Sequence, residues 1–171
     1  VPHGTAQGDT LQVENVTFGY TEDPLFKDLS FTPHAGEIIG ITGEVACGKT
    51  ALGKLFLGGT PYQGRITLNG KELSQYQERT VTYLGHDAQL FSTTIAENIS
   101  LGDDIDFPAL LKEVCMEDEI KEFDQGLQTV IGDHGVRMSG GQQERIALAR
   151  ALCHPAPIFV LDDPFSAVDP A

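Results

Sequence analysis

Apolar and polar residues alternate along "LQVENVTFGY" (11–20), and its Val, Thr and aromatic content predicts a half-buried strand. "TEDP" marks a turn, and "LFKDLSFTP" predicts a second strand. After the "HAGE" turn, "EIIGIT" (37–42) is a short apolar run, the pattern of a strand buried on both faces. The period then becomes helical: Ala51, Leu52, Leu55 and Phe56 recur at helix spacing, and Gly58 and Gly59 supply a stop. "GRITLNGKEL" predicts a strand and a hairpin turning at Asn69-Gly70, and "TVTYLG" (80–85) predicts another strand. From 92 to about 134 the pattern is helical and acidic, with Leu110, Leu111, Val114 and Ile120 near one face and Met116 and Phe123 read as packing residues. "QQERIALARALC" (142–153) predicts a clear helix, and "PIFVLDD" an apolar strand that ends in carboxylates. Strands and helices are thus mixed, β-rich first, with a helical stretch before the last strand and no internal repeat.

Composition narrows the partners. The 171 residues suffice for one sizeable core. Net charge is −14, from 25 acidic against 11 basic residues, which disfavours nucleic acid or an anionic membrane surface as the main partner. Cys47, Cys115 and Cys153 are odd in number and widely spaced, so neither a disulfide framework nor a Cys-x-x-Cys metal pair is expected, and a reducing compartment is the simpler inference. No apolar run approaches the roughly 20 residues of a membrane helix. The chain begins with Val rather than Met, so a soluble piece of something longer is expected, with residues 1–10 as linker.

Candidate chemistry enters at "GITGEVACGKTALGKL". Gly43, Gly48, Lys49 and Thr50 fit G-x-x-x-x-G-K-[ST], between a predicted strand and a predicted helix, which is the context this motif requires. The glycines permit a tight curl, and main-chain N–H groups from Ala46 through Cys47 to Ala51 would point at phosphate oxygens. Lys49 would reach the β and γ phosphates, and the Thr50 hydroxyl would ligate Mg²⁺. An acid at the end of a neighbouring strand must hold the metal's water shell. "IFVLDD" offers Asp162 for that role, with Asp163 facing an attacking water. The bland alternative is a strand end where acids meet solvent. In "MSGGQQERIALARAL", Ser139 and Gln142 have capping-box spacing, and Gly140 and Gly141 leave the amides unobstructed. A second helix N-terminus suited to an anion points to a nucleotide sandwiched between two chains. An ordinary capped helix is the alternative.

Together these segments resemble, from about residue 11 to 171, the nucleotide-binding domains of ATP-binding cassette (ABC) transporters. "MSGGQ" resembles the family signature, and "SAVD" resembles its D-loop, which ends in Asp169. Tyr20 in "VTFGY" matches the aromatic that stacks on adenine. "LFSTTIAENI" and "TVIGDHG" resemble exporter-type stretches near the contact with the transmembrane part. The resemblance implies an α/β fold with a RecA-like P-loop NTPase core, an antiparallel β subdomain and an inserted α-helical subdomain. The corresponding division is 11–91 and 154–171 for the ATP-binding core with its β part, and 92–153 for the helical signature part. It implies ATP and Mg²⁺, a second nucleotide-binding domain paired head to tail as homo- or heterodimer, a transmembrane domain, and a place at the cytoplasmic face of the cell membrane. Closure of the pair would move the attached membrane helices.

Three departures bear on hydrolysis. His86 stands where exporters usually carry Gln, and Asp163 stands where the family's catalytic Glu is one methylene longer. The switch histidine and final strands that the family places after the D-loop lie beyond Ala171. The resemblance therefore implies an exporter half that binds ATP and hydrolyses it poorly at its own site, as in asymmetric heterodimers. An ordinary catalytic half, a soluble ABC protein of DNA repair or translation, and a domain that has lost nucleotide binding remain as alternatives.

Overall fold

The computed structural model describes residues 8–20, 22–44, 46–85, 89–133 and 135–163. They fall into two compact units: residues up to Val81 with Ala156–Ile158, and Thr82–Pro155 with the residues from Phe159 on.

The first unit contains a four-stranded antiparallel sheet in the order β2-β1-β3-β4, from β1 (Leu11–Phe18), β2 (Phe26–Phe31), β3 (Gln63–Leu68) and β4 (Lys71–Glu72). β1 does not alternate strictly: Val13, Val16 and Phe18 are all buried. An extra residue explains it. The register with β2 and with β3 slips on either side of Asn15, whose φ is 50°, and a bulge shifts the inward positions by one. Asn15 is pinned there by Ser30 Oγ, which accepts from its main-chain N–H at 2.8 Å, and by Asp28 Oδ1, which accepts from its amide at 2.6 Å. The β3–β4 hairpin turns at Asn69-Gly70, both at positive φ, as a two-residue turn between right-twisted strands requires. Helix α1 (Lys49–Leu55) buries Ala51, Leu52 and Leu55, and Phe56 follows them inward. Burying a leucine or phenylalanine side chain stabilises by about 1.5–3 kcal/mol.

One expected strand is absent. Residues 37–42 form no strand, and Ile38 is 95% exposed with Ile39 and Ile41 also on the surface. A strand buried on both faces exists only where neighbours take its N–H and C=O groups. Among the described residues none pairs with this run.

Strands β5 (Val81–Leu84) and β6 (Ile158–Leu161) form a separate two-stranded sheet. Ile158 N donates to Thr80 O and Asp162 N to Leu84 O. The constant offset makes the pair parallel.

The second unit is mainly helical: α2 (Ile95–Ser100), α3 (Phe107–Glu113), α4 (Glu117–Glu122) and α5 (Gly140–Cys153). Its core unites Ile95, Ile99, Leu110, Leu111, Val114, Met116, Ile120, Ile131, Ile146 and Ala149, with Phe123 packed at the margin. The acidic stretch breaks between α3 and α4 at Cys115, which sits at φ 55°. Glu119 of α4 pairs with Arg145 of α5.

Candidate functional site

The glycine loop is curled. Gly48, the N-cap of α1, lies at φ 97°, a left-handed conformation that suits only glycine at low cost, and Ala46 also has positive φ at 65°. A Cβ at Gly43 would lie 2.6 Å from Cys47 Sγ, and Cys47 N donates to Glu44 O at 3.3 Å, so the loop closes on itself. Lys49 folds back over it: its ammonium donates to Gly43 O at 2.7 Å and Glu44 O at 2.6 Å, with Cys47 Sγ at 3.7 Å. A lysine drawn to two carbonyl oxygens places positive charge at the loop's centre. Thr50 is exposed and Ala51 buried.

An aromatic run leads from this loop to Tyr20. A Cβ at Gly48 would meet Leu25 Cβ at 3.1 Å and Phe26 Cδ1 at 3.2 Å. The Phe26 ring lies 5.8 Å from Phe18, and Phe18 meets Tyr20 edge to face at 5.0 Å. Tyr20 itself is 75% exposed, so its ring is available for stacking on a planar ligand.

Asp162 and Asp163 follow β6 directly. Tyr83 of β5 donates its phenol hydrogen to Asp162 Oδ2 at 2.7 Å. Burial first, and then the bond and charge of Asp162, push the Tyr83 phenol far above its ordinary value, so it acts as a donor throughout the physiological range. Asp163 sits at φ 49°.

Ser139 caps α5 as its spacing predicts. Its Oγ accepts from Gln142 N at 3.2 Å, and Gln142 Oε1 accepts from Ser139 N at 2.9 Å. Ser139 and Gly140 are exposed, Gly141 and Gln142 half-buried. Residues 43–51 and Tyr20 belong to the first compact unit; Ser139, Gly140, Gly141, Gln142, Asp162 and Asp163 belong to the second. His86 and Asp169 lie outside the described residues.

The two remaining motif stretches meet. Ile95 N donates to Thr129 O at 3.0 Å and Ile131 N to Thr93 O at 2.9 Å, and Thr94 and Val130 form an antiparallel bridge. Apolar Phe91 and Val130 are exposed in these stretches, and Val136 directly after the second.

The family described as ABC transporter matches residues 26–166. The chain belongs to the ABC transporter family. It is 34% identical over 96% of its length to the ATP-dependent lipid A-core flippase of Aliivibrio fischeri, and 36% identical over 93% to that of Photobacterium profundum. It covers 30% and 29% of those two chains, so it spans about a third or less of the length of the ABC relatives it matches. A bacterial Atm1-family ABC exporter solved with ATP bound superposes with a TM-score of 0.82 at 29% identity, over 99% of this chain and 32% of that one. The fold is therefore that of an ABC ATPase, a P-loop NTPase. Among the described residues no helix is long and apolar enough to cross a membrane, and no cluster of three His, Cys, Asp or Glu side chains could hold a metal unaided.

Several residues with structural roles carry no individual signal in the sequence. Tyr83 lies in a run read simply as a strand, and Gly85 just past that strand's end. Asn98 and Arg150 lie in helices where polar residues read as surface. The Thr94-x-x-Glu97 capping box, fully formed ahead of α2, was a legible signal.

Proposed function

We propose that this chain is the nucleotide-binding domain of an ABC exporter, which binds ATP in the 43–51 loop and hydrolyses it weakly at its own site. The observation that carries the reading is the curled loop with Lys49 Nζ seated on the Gly43 and Glu44 carbonyls. In this reading the amides of residues 46–51 and the Lys49 ammonium hold the triphosphate, and Tyr20 stacks on the adenine.

The same reading includes magnesium. Mg²⁺ is usually held by one or two carboxylates together with substrate phosphates and water; in this reading the Thr50 hydroxyl and the Asp162 carboxylate, which accepts from Tyr83, would each supply an oxygen to it. When bound, the ion neutralises phosphate charge. Ser139, Gly140, Gly141 and Gln142 would meet the nucleotide of a second nucleotide-binding domain, with Asp169 in the D-loop between them. The exposed Phe91, Val130 and Val136 beside the paired 93–95 and 129–131 segments offer apolar area to a transmembrane domain. That partner would place the chain at the cytoplasmic face of a membrane. The core, 11–91 with 154–171, and the helical part, 92–153, are the corresponding division.

Weak hydrolysis follows from Asp163 and His86. A general base must lie within about 2.6–3.2 Å of its water, and the shorter aspartate arm starts from a backbone already turned out of the strand at φ 49°. Single-turnover hydrolysis in the full-length protein tests this. Little phosphate should form at this site, Asp163→Ala should change that little, and Asp163→Glu should raise it. Abolition of a robust turnover by Asp163→Ala would instead make this an ordinary catalytic half.

A further inference from the structure

Asp162 is held by more than its strand. Its main-chain N–H donates to Leu84 O at 2.8 Å, which continues the β5–β6 ladder by one step. Its carboxylate Oδ2 accepts from the Tyr83 hydroxyl at 2.7 Å. Residue 83 is one step before the residue whose carbonyl holds Asp162, on the adjacent parallel strand, so the phenol reaches across the sheet. Both side chains are half-buried.

The ring reaches that position by crossing Gly85. A Cβ built on Gly85 would lie 2.6 Å from Tyr83 Cε1 and 3.3 Å from both Cζ and Oη. Gly85 is not among the residues of positive φ, so the backbone there accepts any residue, and it is the space over residue 85 that must stay empty. Gly85 follows directly after β5, and the close approach of its Cβ position to the Tyr83 ring puts both on one side of the chain. A side chain at 85 would occupy the path along which the Tyr83 ring runs towards the strand end. Tyr83 and Gly85 thus act as one device: a phenol laid along the strand, and the clearance that lets it lie there.

We propose that Tyr83 is a positioning residue for the metal ion of the nucleotide site, fixing the rotamer from which the Asp162 carboxylate meets Mg²⁺. A carboxylate accepts at about four lone-pair positions, so one phenol bond sets its orientation without exhausting its capacity. Groups that orient a metal ligand in this way typically control affinity by about 10–100-fold. The inference rests on the reading of Asp162 as the metal-side carboxylate of an ATP site.

The test is the Mg²⁺ dependence of ATP affinity in the full-length protein, by isothermal titration in EDTA and across a Mg²⁺ series. Tyr83→Phe removes one hydroxyl and keeps the ring. Its ATP affinity in EDTA should equal that of the wild type, while the Mg²⁺ concentration for half-maximal enhancement rises about tenfold. Asp162→Asn should lose the enhancement, and Tyr83→Phe added to it should cost nothing further. Gly85→Ala, which keeps the hydroxyl but displaces the ring, should shift the Mg²⁺ response in the same direction as Tyr83→Phe. Superimposable Mg²⁺ curves for Tyr83→Phe and wild type would overturn this inference alone. Failure of the wild type to bind ATP in either condition would overturn the nucleotide-site reading, and this inference with it.

Discussion

Arg150 of α5 grips Asn98 of α2 twice: Nε donates to the Asn98 carbonyl at 2.6 Å, and one terminal nitrogen donates to Asn98 Oδ1 at 2.9 Å. The other donates to Gln89 O at 2.9 Å, and the guanidinium lies 5.0 Å over the Phe91 ring. Asn98 is fully buried and spends its amide on Phe91 O and Thr94 O. The fork therefore ties the 89–98 segment to α5. Hydrogen bonds to charged groups contribute about 1.5–3 kcal/mol, so Arg150→Ala should lower unfolding stability by about 2–4 kcal/mol in urea titration. Arg150→Lys should recover little, because one ammonium cannot span three acceptors.

Gly135 is a position where space decides. A Cβ there would lie 2.1 Å from Val130 O, beside the bond from Val136 N to that same oxygen. Gly135→Ala must push the backbone apart where 129–131 pairs with 93–95, at a cost on the order of 3 kcal/mol. Thermal unfolding reads the loss, and ordinary stability of the variant would contradict the described packing.

The cap of α5 has a smaller, separable effect. Ser139→Ala removes the bond from Gln142 N and should destabilise by about 1 kcal/mol. Ser139→Asp, which keeps an acceptor at the N-cap, should restore that stability in the same urea titration.

Thiol chemistry separates the cysteines. Burial first, and then the charges of Asp103 and Glu113, raise the Cys153 thiol above its ordinary value. A raised value means less thiolate at a given pH, so alkylation of Cys153 at pH 8 should lag behind that of exposed Cys47 and Cys115. Its rate should keep climbing at pH values where an ordinary thiol has levelled off. Mg-ATP should slow labelling of Cys47, which lies inside the loop, and leave Cys115 unchanged. Mass spectrometry of labelled peptides reads each site.

Local chemistry made much of this fold legible. The β3–β4 hairpin followed from Asn69-Gly70, the cap of α5 from Ser139 and Gln142, and the inward face of α1 from the spacing of Ala51, Leu52, Leu55 and Phe56. Residues 37–42 misled because an apolar run predicts burial only if partners exist to bury it, and pairing is not a local property. Cys115 ends a helix at positive φ although cysteine carries no turn preference to read. The contact of Tyr83 with Asp162 joins residues 79 apart, and only the parallel pairing of β5 with β6 brings them together. The curl of the glycine loop was readable because its motif is compressed into eight consecutive residues.

The claim that this loop holds nucleotide is tested most directly by isothermal titration of Mg-ATP into the full-length protein and its Lys49→Ala variant. Saturable heat is expected for the wild type and an affinity at least about tenfold weaker for Lys49→Ala, since a charge-assisted contact contributes about 1.5–3 kcal/mol. Equal heats from the two proteins, or none from the wild type at millimolar nucleotide, would contradict it.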